Sequence, residues 1–280
     1  MIVTARLKSL SFVLLGLLAL LAGFWWSASN PQQEAGASLP LTDGVGLIGP
    51  PRSFSPTEAA TMFADSRKAC EGPCVTPFGT VLGVADGAEA RSNCTSRCVL
   101  PKRGFLDLES GAYSVLEEAP EDTGLVYVGI TYQCVGYARY WWMMNLSLTF
   151  GDVDDAHQIL YLTEATNPRT GETVALGRSV NGSAERPPQR GDLLVYAADR
   201  DDPEWRFGHV AVIVGVDPER GLVSVAEENY DNRPWWNPEA FARQIRLFEI
   251  NGRYTLLDLS EGETRNPDGG QIAGWIYPVR

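Results

Sequence analysis

The 280-residue chain has apolar and charged shares of 44% and 21%, those of a globular protein long enough to bury a sizeable core. Its formal charge of -12 excludes a surface built to grip phosphate backbones, so nucleic acid is not an expected partner. Five cysteines divide into four crowded between positions 70 and 98 and one alone at 134, the pattern of a stapled segment plus a free thiol.

Arg6 and Lys8 precede an uncharged, leucine-rich run from Ser9 to Trp26, and the small residues Ser27-Ala28-Ser29 follow it. That is the form of an export signal, so residues 1–29 are expected to be a signal peptide or a signal anchor. The run 9–26 is barely long enough to span a bilayer, and Trp25-Trp26 suits a membrane interface. Cleaved or anchored, the body is expected outside the cytoplasm, periplasmic or extracellular, with the membrane a partner only if the segment stays. Residues 30–55, rich in Pro, Gly, Ser, Ala and Gln without periodicity, read as a flexible tether. Ser55-Pro56-Thr57-Glu58 then opens a short helix running to about Lys68, with a capping serine, a first-turn proline and an acid three residues on.

A cysteine-rich extension, about residues 68–100, comes next. Cys70 and Cys74 form one pair and Cys94 and Cys98 another, each with three residues between its members. Zinc knuckles more often use two intervening residues, and export favours oxidation, so two disulfides and no metal are expected. The pairing stays open. Phe78–Gly87 between the pairs reads as a strand ending in a turn, Pro101–Asp122 as mixed loop, and Leu125–Val128 as a strand.

Thr131–Asn145 reads as a helix with Cys134 in its first turn and a buried stripe through Val135, Ala138, Trp142 and Leu146. A thiol there faces unpaired backbone N–H groups and the positive end of the helix dipole, which favour the nucleophilic thiolate. The alternative is a small core residue. Asp152–Leu162 is mixed polar and apolar, and Asn167–Gln189 reads as loop. The last third is strand-dominated: Gly191–Tyr196, His209–Val216, a turn at Pro218–Gly221, its hairpin partner Leu222–Glu227, then Arg253–Leu257 and Ile272–Tyr277. The expected class is α+β, N-terminal helices packed on an antiparallel sheet.

A cysteine nucleophile needs a base, and the chain has two histidines. His157, among Asp154, Asp155 and Gln158, reads as a solvated surface residue. His209 follows Gly208 and opens an apolar strand, where a base gains rigid backbone and access to a cleft. Glu227 ends the hairpin partner of that strand, so antiparallel pairing brings it beside His209 to fix the imidazole tautomer. Alternation sends Glu228 to the opposite face and returns Asn229 to the same side as a reserve.

Together Tyr132-Gln133-Cys134-Val135-Gly136-Tyr137-Ala138-Arg139, Arg190–Tyr196, Gly208–Val214 and Val225–Asn229 resemble the CHAP family, the cysteine- and histidine-dependent amidohydrolases and peptidases. Within it the chain is most similar to the amidase domains of glutathionylspermidine synthetase/amidases. The likeness spans about residues 76–278, taking in Phe78–Gly83, Tyr254–Asp258 and Gly274-Trp275. It implies a papain-like CHAP amidase domain over residues 56–280, no cofactor, and the roles of nucleophile for Cys134, base for His209 and orienting acid for Glu227. It also implies that Arg139 grips a carboxylate of a glutathione portion and that Asn229 sits beside the triad. Gln133 and the Cys134 backbone N–H are candidate oxyanion donors. Gly136 departs from the acidic residue usual in close relatives. No ATP-grasp synthetase domain follows before Arg280, which sets the expectation of cleavage rather than synthesis. The expected activity is cleavage of an amide through an acyl-thioester, on a small peptide-like substrate of the glutathionylspermidine type. A peptidoglycan amide or peptide is the alternative substrate, and a non-catalytic binding module the alternative function.

Overall fold

A computed structural model of the chain describes residues 53–118, 124–259 and 270–279, all within one compact unit, Val45–Arg280. The export signal expected for 1–29 and the tether up to residue 52 lie outside the described residues. Among those described, no helix is long and apolar enough to cross a membrane.

Helix α1, Pro56–Ala69, starts where its capping chemistry dictates. The Ser55 hydroxyl accepts the Glu58 N–H at 3.3 Å, and the Glu58 carboxylate accepts the Ser55 N–H at 2.8 Å. Arg67 and Lys68 in its last turn complement the negative helix end. Cys70 bonds Cys98 and Cys74 bonds Cys94, so the bridges are nested. They enclose a hairpin of β1 (Val81–Ala85) and β2 (Ala88–Arg91), joined through Asp86-Gly87, both at positive φ.

Strands β3 (Arg103–Asp107), β4 (Tyr113–Leu116) and β5 (Leu125–Ile130) form an antiparallel sheet in the order β4-β3-β5. The loop expected over Pro101–Asp122 therefore contains a hairpin. β4 is half-exposed without clean alternation, so its strand character comes from pairing with β3 rather than from its own pattern.

Helix α2, Cys134–Leu146, is buried on more than the one stripe the spacing suggests. Tyr137, Tyr140, Trp141 and Met143 are buried along with Ala138 and Trp142. It is wedged against β5, β2 and β9, the last (His209–Asp217) from the main sheet. Trp142 is fully enclosed, and its indole N–H donates to the Gly191 carbonyl at 2.8 Å. Trp142→Ala is expected to cost about 4 kcal/mol through the cavity and the orphaned carbonyl, read as a lower urea midpoint with an unchanged slope.

The main sheet has eight antiparallel strands in the order β12-β11-β10-β9-β8-β13-β7-β6. Besides β9 these are β6 (Glu164–Thr166), β7 (Thr173–Val180), β8 (Leu193–Tyr196), β10 (Leu222–Ala226), β11 (Arg243–Ile250), β12 (Arg253–Leu257) and β13 (Ile272–Pro278). Val210, Val212 and Val214 join the core around α2, while Ala211 and Ile213 join a second core with Trp275 on the other face. Burial on both faces explains the unbroken apolar run of β9. The loop expected over Asn167–Gln189 instead holds β7, whose residues are mostly half-exposed, and β11 has no counterpart in the sequence reading. A 3-10 helix, Ala156–Tyr161, occupies part of the mixed stretch after α2.

Candidate active site

Four neighbouring strands, β8 to β11, each bring one polar side chain to the same end of the main sheet. Tyr196 pairs directly with His209 across β8 and β9, and Val225 pairs with Arg243 across β10 and β11. His209 has the parity of Ala211 and Ile213, Glu227 that of Val223 and Val225, and Arg243 that of Ile245, so the three leave on one face. His209 Nε2 and Glu227 Oε2 lie 2.8 Å apart. The Arg243 Nε–H donates to Glu227 Oε1 at 2.6 Å and an Nη2–H to Oε2 at 3.2 Å, a forked grip on the carboxylate. The same guanidinium donates to the Tyr196 hydroxyl at 2.8 Å and to Asp258, and lies 3.8 Å from the Tyr230 ring centre. Tyr196 and Tyr230 flank the imidazole at 5.6 and 5.4 Å. Gly208 leads into this row at φ +64°, where a Cβ would come 2.5 Å from the Tyr196 carbonyl oxygen.

The nucleophile candidate arrives from the other side of the sheet. Cys134 is the first residue of α2, and the N-cap Gln133 makes no side-chain capping bond, which leaves the first-turn N–H groups free of that partner. The turn can reach this position because Gly136 packs on Gly129, where a Cβ would lie 2.9 Å from the Gly136 Cα. A Cβ on Gly136 would itself lie 3.1 Å from the Ile130 carbonyl oxygen, so the departure at Gly136 fits a tight helix-on-strand contact. Cys134 and His209 line the same cleft, and Cys134 is the strongest of the groups that favour a charged imidazole. Because Nε2 is committed to Glu227, Nδ1 is the nitrogen that addresses the sulfur.

Electrostatics follow from this geometry. Burial opposes a charged His209, but Cys134 and then Glu227 outweigh it and hold the ring at about 9. Burial likewise opposes a charged Glu227, yet Arg243 first and His209 second bring its carboxyl down to about 2. Glu228 points away, as alternation required, and accepts the Arg91 N–H at 2.6 Å. Burial, with Cys134 nearby, pushes its carboxyl well above the usual range.

The cleft, about 470 Å³, is lined by Cys134, His209, Gln133, Asn229 and Arg139. Asn229, at φ +58°, donates to Gln133 Oε1 at 2.7 Å, so its partner is the oxyanion candidate rather than the histidine. Arg139 is buried, and its guanidinium donates to the carbonyls of Phe150, Val128 and Gly151 and to Asp152 Oδ1 at 3.0 Å. Arg139→Lys is therefore expected to lower stability by about 2 kcal/mol with no substrate present, because lysine leaves buried carbonyls unpaired. Urea unfolding of the two proteins measures it.

His157 corrects the sequence reading. It is 5% exposed, not solvated, and its Nδ1 accepts the Ala198 N–H at 3.3 Å. Burial pulls its pKa below the ordinary value. Arg243 and Asp258 were missed, and the signal lay in the pairing: only a β11 strand beside β10 brings Arg243 next to Glu227.

A family model for the CHAP domain matches residues 126–229, a span that includes Cys134, His209 and Glu227. The chain is 30% identical over 200 residues to the bifunctional glutathionylspermidine synthetase/amidase of Escherichia coli (strain K12), covering 71% of this chain and 29% of that protein. The protein of the same description from Shigella flexneri gives the same figures. Trypanothione synthetase from Crithidia fasciculata is 29% identical over 187 residues, 66% of this chain and 25% of that one. The chain thus matches between a quarter and a third of the length of these relatives. With this match and the α+β arrangement above, residues 126–229 are a CHAP domain of papain-like fold.

Proposed function

We propose that the chain is an exported thiol amidohydrolase. The observation that carries the reading is the Cys134, His209 and Glu227 row, with Glu227 bonded to His209 and with His209 and Cys134 lining one cleft, inside a CHAP domain that resembles amidases. The Cys134 thiolate attacks the amide carbonyl carbon, and the negative charge moves to an oxygen met by the Gln133 side chain and the helix N-terminal N–H groups. His209, charged and fixed by Glu227, gives its proton to the nitrogen as the C–N bond breaks. Water, deprotonated by the now neutral imidazole, cleaves the thioester and restores the ion pair. No step calls on a cofactor.

The substrate class we favour is a small peptide-like amide of the glutathionylspermidine type, as the relatives' description suggests. Arg139 suits a substrate carboxylate in one specific way. Among the described residues Asp152 is its one side-chain acceptor and is 84% exposed, so an incoming carboxylate displaces Asp152 without disturbing the buried carbonyl bonds. The second reading, a peptidoglycan amide, is favoured by address: two disulfides suit an oxidising compartment, and the run 9–26 suits export. Incubating the full chain, with Cys134→Ala as control, with glutathionylspermidine and with purified peptidoglycan separates the two. Glutathione plus spermidine in the mass spectrum supports the first, and muropeptide fragments replace it with the second. Neither product would leave a CHAP-fold binding module.

A further inference from the structure

The cysteine-rich extension touches the site at one atom that the proposed mechanism depends on. The backbone carbonyl of Cys98 accepts a hydrogen from Gln133 Nε2 at 3.1 Å and another from Asn93 Nδ2 at 2.7 Å. Gln133 Oε1 is at the same time held by Asn229. An amide is planar, so fixing its oxygen and one of its two N–H bonds fixes the direction of the second N–H. The carbonyl itself is held firmly. Cys98 is 1% exposed and bridged to Cys70, and Asn93 is 1% exposed with its N–H on Asn232 Oδ1 at 2.9 Å. Ser92, fully buried, ties the same region to Thr76 O and Asn232. Ser96, Arg97 and Val99 of this segment also line the cleft.

We infer that the disulfide-stapled segment is a positioning element of the active site, holding the Gln133 amide through the Cys98 carbonyl in the orientation that oxyanion binding requires. The inference rests on the hydrolase reading above. Its alternative is a purely structural staple, and the two differ in what they change. Loss of the staple should slow steps that build charge on an oxygen and spare steps that need only the thiolate.

The test uses the full chain and two reagents. 4-Nitrophenyl acetate acylates Cys134 through a tetrahedral oxyanion, formed as sulfur adds to the carbonyl and lost as the C–O bond breaks and 4-nitrophenolate leaves. Iodoacetamide alkylates the sulfur without one. Replacing both Cys70 and Cys98 by serine is expected to slow nitrophenolate release about tenfold, as for weakening one oxyanion donor. Alkylation should stay within about twofold, since the Cys134 and His209 pair is untouched. Asn93→Ala, which keeps both disulfides, should act in the same direction and carries the test if the serine protein does not fold. On a Gln133→Ala background the serine changes should add nothing, because the group they position is gone. Unchanged acylation in both variants, an additive loss on that background, or a parallel loss of alkylation each overturns the inference. Wild-type protein that releases no nitrophenolate through Cys134 overturns the hydrolase reading itself, a distinguishable result.

Discussion

Glu227→Gln is expected to lower kcat/KM about a thousandfold while the protein stays folded. A glutamine amide at this position carries no negative charge to hold His209 protonated, so the ring loses the proton that the leaving amine needs. The pH profile carries a second signature. His209 sits at about 9, where burial opposes the charge but Cys134 and Glu227 prevail. The charged ring, needed to protonate the leaving amine, therefore persists up to that pH and is lost as pH rises through it. Removing the Glu227 charge should move this basic limb to lower pH, and a pH series of kcat/KM reads the shift. A limb that does not move would separate Glu227 from the ionisation of the histidine.

Arg243→Met should cost about 3–5 kcal/mol, the usual penalty for leaving a buried carboxylate without its cation. The sign with pH follows from Glu227, whose carboxyl is depressed to about 2 from an ordinary 4.5 against the cost of burial, chiefly by Arg243. A depressed carboxylate contributes stability above its unfolded value and loses it as pH falls through the folded one. The gap between wild type and variant should thus be full at pH 7 and close between about 4.5 and about 2. Urea midpoints across that range measure it. Activity should fall as well, since Arg243 fixes the carboxylate that fixes the histidine.

What could be read from the sequence was what is encoded locally. Ser55 and Glu58 announce α1 by themselves, and the β9–β10 hairpin follows from two apolar runs around a Pro-Glu-Arg-Gly turn, which already places Glu227 by His209. The nested pairing of the four cysteines depends on how far the β1–β2 hairpin carries Cys94 back toward Cys74, and spacing does not contain that distance. β4, β7 and β11 stayed hidden because their residues are mixed in polarity and become strands through their neighbours. Arg243 was hidden with β11, and with it the reason a carboxylate can remain charged inside the protein. Arg139 was visible, but not that buried carbonyls already claim most of its donors.

The central claim, that Cys134 is a nucleophile worked by His209, is tested most directly by brief iodoacetamide treatment at pH 6 with peptide mass mapping. Selective carboxamidomethylation of Cys134 is expected, slowed at least about tenfold in His209→Ala, because His209 is the group that activates the sulfur for attack. A Cys134 that stays unmodified at pH 6, or reacts equally fast without His209, would contradict the account.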